Sequence, residues 1–228
     1  MRFPMAVDGL PFVLGLLLVS ALLVFLRCHV AAAIVFAISF LVGCFFRDPR
    51  RDMLTGAGVL VSPADGKVIG VDEVKPSPDN DQPNTRVSVF MSVLNCHVNR
   101  SPVTGSVAGV QHTNGRFLAA FREQAGEVNE RTDISLVDDA GENIQCTQIA
   151  GLIARRIVCR LQSGDSVSAG QKIGLIKFGS RVDVIVPPTY SISVKTGDKV
   201  KAGLDVIAQR RTESQSKAHT PGKKSRAR

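Results

Sequence analysis

The stretch SGDSVSAG at residues 163–170 occurs a second time, with a few changes, as TGDKVKAG at residues 196–203. In both copies a Gly-Asp pair, typical of a tight turn, precedes a valine and then an Ala-Gly pair. The copies lie 33 residues apart, and Ile173 in the first corresponds to Val206 in the second. Each copy predicts a turn, a strand, a second turn and another strand, so this region consists of a duplicated β-hairpin.

A second duplication precedes the first, because SPADGKV at residues 62–68 resembles SPVTGSV at residues 101–107. From Val59 onward, short apolar runs rich in β-branched residues are separated by Gly and Pro, as expected for many short strands. We predict a mainly β domain whose duplicated hairpin resembles the biotinyl/lipoyl carrier fold, a sandwiched β-barrel of two quasi-symmetric halves. In that fold a modified lysine occupies the turn between the halves, and here Gly179 and Ser180 take that position.

The first 46 residues differ from the rest in being mostly apolar. Residues 10–26 and 30–46 carry almost no polar side chains, and only three residues separate them. Each run of about 17 residues is near the lower limit for spanning a hydrocarbon core about 30 Å thick. A cleaved signal peptide is the alternative for the first run, but the second run follows at once and no small-residue cleavage site stands out. We predict a helical hairpin over residues 1–46 that crosses the membrane twice or dips into one leaflet.

The basic residues indicate an orientation and a tail. The arginine cluster at residues 47–51 favours the cytoplasmic side for the domain that follows, residues 47–208. The net charge is +8, and residues 210–228 contain seven Lys and Arg against one Glu, among Ser, Thr, Gln, Pro and Gly. We predict a disordered basic tail over residues 209–228 that is either simply solvated or attracted to an anionic membrane surface. The predicted location is the cell membrane, with the β domain on its cytoplasmic face.

Composition argues against several classes of protein. The five cysteines form no CxxC pair, which disfavours a disulfide framework or a zinc site and suits a reducing compartment, so we predict no metal. There is no Trp and only one Tyr, so a stacking platform for nucleic acid is not expected.

Gly179 and Ser180 lie between two apolar, strand-like runs, residues 172–178 and 182–186. Glycine lacks a side chain, so its carbonyl can be approached closely, and the Ser180 hydroxyl is next to the peptide bond that it could attack. An ordinary turn is the simpler interpretation of a Gly-Ser pair taken alone. A functional interpretation depends on the motifs that accompany it.

Five short motifs occur in the order seen in phosphatidylserine decarboxylases, and the resemblance covers residues 46–208. They are FRDP at 46–49, SPADG at 62–66, His97 with SPVTG at 101–105, NER at 129–131 and FGS at 178–180. The short chain resembles the compact type of that family. The resemblance implies conversion of phosphatidylserine to phosphatidylethanolamine and CO2.

The resemblance also implies that the cofactor is a pyruvoyl group made from the chain itself. Ser180 Oγ would attack the Gly179 carbonyl, elimination would cut the chain, and the new terminal residue would become the pyruvoyl group. The products would be a large chain, residues 1–179, and a small chain, residues 180–228, paired as a heterodimer. The pyruvoyl ketone would take the substrate amine as a Schiff base and act as the electron sink that no ordinary side chain supplies.

Further site residues follow from the same resemblance. His97 is the candidate base or proton donor, and Asp65 would orient its imidazole or stabilise the charged ring, although each could be merely structural. Longer bacterial members have a second histidine where Arg100 stands here, so the division of labour between self-cleavage and decarboxylation is open. Arg100 is a candidate partner for the substrate phosphate or carboxylate. Asn129 and Arg131 are further substrate-binding candidates.

Two non-enzymatic alternatives share an anchor and a lipoyl-like hairpin. An adaptor subunit of an efflux pump would carry a long helical hairpin with heptads, and no such segment occurs in this sequence. A carrier domain would place a modifiable lysine in the turn, whereas Lys177 is offset from it. Only the decarboxylase should run as two fragments on a denaturing gel. Between phosphatidylserine and a close phosphoserine lipid, the sequence favours neither.

Overall fold

The computed structural model describes residues 5–54, 56–76, 82–152, 156–177 and 179–211. Phe178 of the FGS motif lies outside the described residues, and so does the predicted basic tail from residue 212 onward.

Two apolar helices form a hairpin at the N-terminus. A 3-10 turn, Val7–Gly9, leads into α1 (Leu10–Phe25), and α2 (His29–Phe45) returns beside it. Ser20 Oγ of α1 donates a hydrogen bond to the Ala32 carbonyl at 3.0 Å, so even a polar side chain of this segment bonds across the hairpin. The predicted helical hairpin is confirmed. Residues 7–25 are long and apolar enough to span a membrane, whereas α2 is shorter.

The hairpin packs onto the β domain through its last residues. Phe45 and Phe46 contact each other edge-to-face, with ring centroids 5.1 Å apart, and form a small buried cluster with Leu175. The end of the hairpin therefore belongs to the same packed structure as the domain.

The described residues contain fourteen strands and one further short helix, α3 (Ala125–Val128), and the chain is mainly β, as predicted. In chain order the strands are β1 (Val59–Val61), β2 (Gly66–Val74), β3 (Asn84–Met91), β4 (Val98–Arg100), β5 (Gly105–Thr113), β6 (Arg131–Asp138), β7 (Asn143–Ile149), β8 (Ile157–Cys159), β9 (Ser166–Val167), β10 (Lys172–Ile176), β11 (Ser180–Val186), β12 (Tyr190–Ile192), β13 (Lys199–Val200) and β14 (Val206–Arg210).

The strand order is symmetric. The large, curled sheet has the order β13-β2-β3-β11-β7-β6-β5-β9, and the two small sheets have the orders β1-β14-β12 and β4-β10-β8. When β11 is exchanged with β7, β3 with β6, β2 with β5 and β13 with β9, the large sheet has the same order read from its opposite end. The same exchange relates the small sheets, with β1, β14 and β12 matching β4, β10 and β8. The predicted quasi-symmetric halves are thus present in the topology, and β7 and β11 meet at their junction.

Both sequence duplications coincide with this symmetry. The repeated Gly-Asp phrases supply β9 and β13, which form the two ends of the large sheet. The other pair supplies two equivalent turns, in which Ser62 Oγ donates to the Ala64 carbonyl at 2.8 Å and Ser101 Oγ donates to the Val103 carbonyl at 2.7 Å. The duplication therefore sets local turns as well as strand order.

The central strand β11 is buried at six of its seven positions. It pairs with β3 over seven positions and with β7 over five, antiparallel on both sides. Val182 and Val184 are fully buried and pack in the main apolar cluster with residues from both halves. The chain segment that begins with Ser180 is consequently held from three sides.

The last strand is fixed by a buried carboxylate. Asp138 accepts hydrogen bonds from the Tyr190 hydroxyl and the Arg210 guanidinium, and it is 6% exposed. Arg210 also lies over the Tyr190 ring at 5.3 Å from the ring centroid. We counted Arg210 with the basic tail, but β14 extends through it, two residues past the predicted domain end at residue 208. This cation is part of the folded domain.

Candidate active site

Ser180 is the first residue of β11 and lies opposite Met91 of β3. It is fully buried, and its Oγ has no hydrogen-bond partner among the described residues. Leaving a buried hydroxyl unpaired costs about 1–3 kcal/mol, so such groups are rare in folded proteins. Chemistry that needs a free hydroxyl would account for a fold that bears this cost.

Gly179 precedes Ser180 in the left-handed conformation, with a φ of +62°, which glycine adopts without steric cost. The β7–β11 ladder pairs Arg181 with Ile149, and continuing that register brings Gly179 opposite Gly151. The two backbones are so close that a Cβ on Gly151 would lie 1.6 Å from the Gly179 carbonyl oxygen. Gly151 therefore leaves the space that this carbonyl occupies. Sequence reasoning missed Gly151, since a lone glycine outside any motif carries no signal.

His97 contacts Gly179 at its backbone N–H, which belongs to the preceding peptide bond. Its Nδ1 lies 2.9 Å from the Asn95 carbonyl oxygen, which can only accept, so Nδ1 carries the proton. Its Nε2 accepts the Gly179 N–H at 3.4 Å. The imidazole also packs on the Phe45 ring of α2, with centroids 4.1 Å apart. Of the predicted partners of Ser180, His97 and Asp65, His97 is the one that the structure brings to Gly179, through the N–H of that residue.

Burial keeps His97 neutral. Loss of solvent lowers the pKa of His97 to about 4, against a smaller opposing effect of the hydrogen bond to Asn95. The Arg47 charge lowers this pKa further, and the Asp65 charge raises it. At neutral pH the ring is therefore uncharged, with the Nε2 lone pair directed at the backbone of Gly179.

Asp65 makes no hydrogen bond to His97 in the described part of the chain. Its two carboxylate oxygens accept hydrogen bonds from Arg51, both at 2.6 Å, and one also accepts the Ala202 N–H at 2.8 Å. Asp65 therefore links Arg51, in the segment after the helical hairpin, to Ala202, in the second copy of the duplicated β-hairpin. Its influence on the imidazole is through its charge, not through the orienting contact that we predicted.

Arg100 is committed to structural partners. It is 4% exposed, its Nη2 lies 3.1 Å from Asp48, and its Nη1 donates to the Gly170 carbonyl at 2.9 Å. Burial lowers the pKa of the Arg100 guanidinium, and the Asp48 charge partly offsets this. Asp48 also pairs with Lys172. The described side-chain contacts of Arg100 are thus with Asp48 of the FRDP motif and with the Gly170 carbonyl, and none of them is with Ser180.

The NER motif supports the site from a distance. Asn129 is fully buried, and its Nδ2 donates to the carbonyls of Leu118 and Ala150 at 2.8 Å each. It therefore ties the long connection between β5 and β6 to the end of β7, next to the glycine that faces Gly179. Arg131 forms an ion pair with Asp133 on its own strand at 3.3 Å. No hydrogen bond joins either residue to Ser180 within the described ranges.

Exposed apolar side chains lie near these residues along the chain or across the sheet. Leu94, in the loop leading to His97, is 80% exposed, and Leu152, directly after Gly151, is 58% exposed. Phe121 is 61% exposed and packs edge-to-face on Phe90, which pairs with the residue after Ser180. Arg47 at the end of the hairpin donates to the Leu94 carbonyl at 2.6 Å. We call Leu94, Phe121 and Leu152 the apolar rim.

Among the described residues, no group of three or more His, Cys, Asp or Glu is arranged to hold a metal ion. The five cysteines are all free thiols. Burial raises the pKa of the Cys96 thiol, next to His97 in the chain, which keeps it protonated at neutral pH. His97 is thus a neutral imidazole and Cys96 a neutral thiol, whereas Arg181, the residue after Ser180, forms a buried ion pair with Asp183.

The sequence matches known proteins over most of its length. A model of the phosphatidylserine decarboxylase family matches residues 38–208. A phosphatidylserine decarboxylase proenzyme of Desulfotalea psychrophila is 39% identical over 211 residues, covering 91% of this chain and 97% of the relative. The proenzyme of the same name from Syntrophus aciditrophicus is 44% identical over 197 residues, 86% of this chain and 92% of the relative. One from Chlorobium chlorochromatii is 47% identical over 167 residues, 72% of this chain and 77% of the relative. The chain belongs to the phosphatidylserine decarboxylase family.

Proposed function

We propose that this chain is the proenzyme of a pyruvoyl-dependent decarboxylase that converts phosphatidylserine to phosphatidylethanolamine and CO2. The observation that carries the proposal is the buried, unpartnered Ser180 Oγ next to a Gly179 carbonyl that a facing glycine accommodates. The family match and the proenzyme relatives support the reaction and its activation by processing. An adaptor or carrier function explains neither the free hydroxyl nor the family match.

Activation begins with the nucleophile that the strand holds in place. Ser180 Oγ attacks the Gly179 carbonyl carbon, and the amide nitrogen leaves with the hydroxyl proton, which gives an ester. Loss of a proton from the Ser180 Cα and rupture of its Cβ–O bond then free Gly179 as the carboxylate end of chain 1–179. The remaining terminal group takes up water and loses ammonia, which leaves the pyruvoyl group at the start of chain 180–228.

The site fits a pyruvoyl group because residue 180 begins a buried strand and its side chain is not engaged elsewhere. When formed, the group would supply the electron sink that decarboxylation of an amino acid requires. His97 is proposed to hold or deliver a proton at Nε2, which accepts the N–H of Gly179, the residue before the cleaved bond, and is unprotonated at neutral pH. Asp65 is proposed as a positioning residue that fixes Arg51 and the Ala202 amide.

Strand pairing would keep the two chains together after cleavage. Three strands of residues 180–211 pair directly with the large chain: β11 with β3 and β7, β13 with β2, and β14 with β1. The fourth, β12, pairs with β14 and is linked to the large chain through it. The contacts of Asp138 with Tyr190 and Arg210 also cross between the chains. These contacts support the proposal that the two chains stay together as a heterodimer.

Three features support a location at the cell membrane with the β domain on its cytoplasmic face. The hairpin of residues 1–46 presents apolar side chains outward, the arginines of residues 47–51 follow it, and the apolar rim lies near the site. The domain of residues 47–208 would then work at the surface where its lipid substrate lies. The basic tail, residues 209–228 as predicted, would add attraction to anionic lipids.

The first experiment tests cleavage at residue 180. Replacing the nucleophile, Ser180→Ala, should leave a single uncut and inactive chain on a denaturing gel and by intact mass. Ser193→Ala, an exposed serine downstream, is the matched control and should process normally. Two fragments from Ser180→Ala would show that the assignment is wrong.

The second experiment tests the space in front of the Gly179 carbonyl. Gly151→Ala should block or greatly slow self-cleavage, because its methyl group would displace the carbonyl oxygen that lies 1.6 Å from the Cβ position. Gly109→Ala is the control, since a Cβ there meets nothing within 4 Å. Cleavage is followed by the fraction of cut chain over time. Equal rates in both variants would contradict the role of Gly151.

The third experiment concerns His97. His97→Ala should lower decarboxylation by about 10²–10⁴-fold, as expected for loss of a general acid–base group. CO2 released per mole of pyruvoyl group separates this loss from a processing defect. His112→Ala, a half-exposed histidine on β5, should keep full activity. Unchanged per-site activity in His97→Ala would return His97 to a structural role.

The fourth experiment concerns the anchor. Deleting residues 1–43, which retains Phe45 and Phe46, should release the protein from membranes, because the helices bury far more apolar area than the tail can match electrostatically. Deleting residues 212–228 should leave the protein membrane-bound and weaken binding only at low salt, where the attraction of about 1 kcal/mol per basic residue is not screened. Sedimentation with membranes measures both. Release by the tail deletion alone would reverse this ranking.

A further inference from the structure

Two buried amides lie beside Ser180 and have no role in the mechanism above. Gln148 of β7 and Asn99 of β4 are both fully buried, and Gln148 Nε2 donates to Asn99 Oδ1 at 2.8 Å. Asn99 Nδ2 in turn contacts Met91 Sδ at 3.5 Å. This amide pair, Asn99 and Gln148, connects a strand of the small sheet to the two neighbours of β11.

The register places Gln148 on the same face of the sheet as Ser180. Paired residues of antiparallel strands share a face, and Gln148 lies opposite Val182. Val182 shares a face with Ser180, because side chains two residues apart on a strand point the same way. Gln148 is therefore a diagonal neighbour of Ser180, a spacing within reach of a long side chain.

The unpartnered atoms of these two residues are complementary. Ser180 Oγ and Gln148 Oε1 are both buried, and neither has a hydrogen-bond partner in the part of the chain that the structure describes. A hydroxyl offers a donor, and an amide oxygen can only accept. A hydrogen bond from the Ser180 hydroxyl to Gln148 Oε1 would satisfy both atoms at once.

We propose that Gln148, held by Asn99, is a positioning residue for self-cleavage, whose Oε1 accepts the Ser180 hydroxyl hydrogen and directs Oγ at the Gly179 carbonyl. This rests on the proposed cleavage between Gly179 and Ser180. The amide orients the hydroxyl and stays neutral. The hydroxyl proton leaves with the amide nitrogen when the ester forms.

Three variants are expected to differ in cleavage rate and in stability. Gln148→Met keeps an unbranched side chain of similar length but removes the acceptor, so cleavage should slow at least about tenfold, the effect of one lost hydrogen bond. The double change Asn99→Leu with Gln148→Met should process as slowly while folding normally, because replacing both polar partners by apolar groups is nearly neutral for stability. Gln148→Glu should restore cleavage, since burial keeps the acid protonated: its O–H can serve Asn99 and its C=O can serve Ser180.

The experiment follows the cut fraction of freshly synthesised full-length chain over time by denaturing gel and intact mass. Thermal unfolding of the same variants in the uncut Ser180→Ala background measures folding separately. Gln145→Met is the matched control, because this glutamine of β7 lies on the opposite face and bonds Asp133 at 3.2 Å. It should cleave at the normal rate.

Slow cleavage in both Met-containing variants with near-normal unfolding, together with recovery in Gln148→Glu, supports the inference. Normal cleavage in Gln148→Met overturns it. Where the Met variants unfold, Gln148→Glu decides: a folded but uncut Glu variant overturns the inference, and a cleaved one supports it. Failure of the proposed function is seen separately, as two fragments from Ser180→Ala.

Discussion

The antiparallel pairing of β11 with β3 on one side and β7 on the other is the constraint on which the site depends. It fixes the first residue of β11 within the core, so the Ser180 hydroxyl is withdrawn from water without gaining a hydrogen-bond partner among the residues that the structure describes. The cost of about 1–3 kcal/mol for that hydroxyl is small beside what two full ladders and the burial of Val182 and Val184 contribute. The strand thus holds a reactive group that a loop would leave solvated.

Most of the motif residues act on this strand indirectly. Asp48 with Arg100, and Asp65 with Arg51, are ion pairs in which one partner is nearly inaccessible, and Asn129 bonds only backbone groups among its recorded contacts. Removing one partner from a buried pair typically costs about 3–5 kcal/mol, so such residues can be essential without touching the substrate. His97 differs, because its unprotonated Nε2 accepts the N–H of Gly179, the residue whose carbonyl would be attacked.

The sequence predicted the fold better than it predicted the site. Duplicated turn phrases and apolar runs report on local structure, so they predicted a mainly β domain of related halves and a helical hairpin. Gly179, Ser180 and His97 belong to motifs, and the structure brings them together. Gly151 and Gln148 reach the site only through the register of β7 against β11, which a local pattern does not encode. The ion-pair partners of Asp65, Arg100 and Arg210 were unpredictable for the same reason, because they lie 14, 52 and 72 residues away in the chain, outside any local pattern.

The proposed cut between Gly179 and Ser180 lies where the chain passes from one sheet to another. β10 belongs to a small sheet and β11 to the large one. Ser180 is the first paired residue of β11, opposite Met91, so a cut at the bond before it would interrupt no strand of the described residues. At the related position in the other half, β6 and β7 are joined by a tight turn of residues 139–142 within one sheet. The two halves therefore provide two related strand starts, those of β7 and β11. The proposed cut lies at the start of β11, where the chain passes between sheets and the facing Gly151 leaves room for the Gly179 carbonyl.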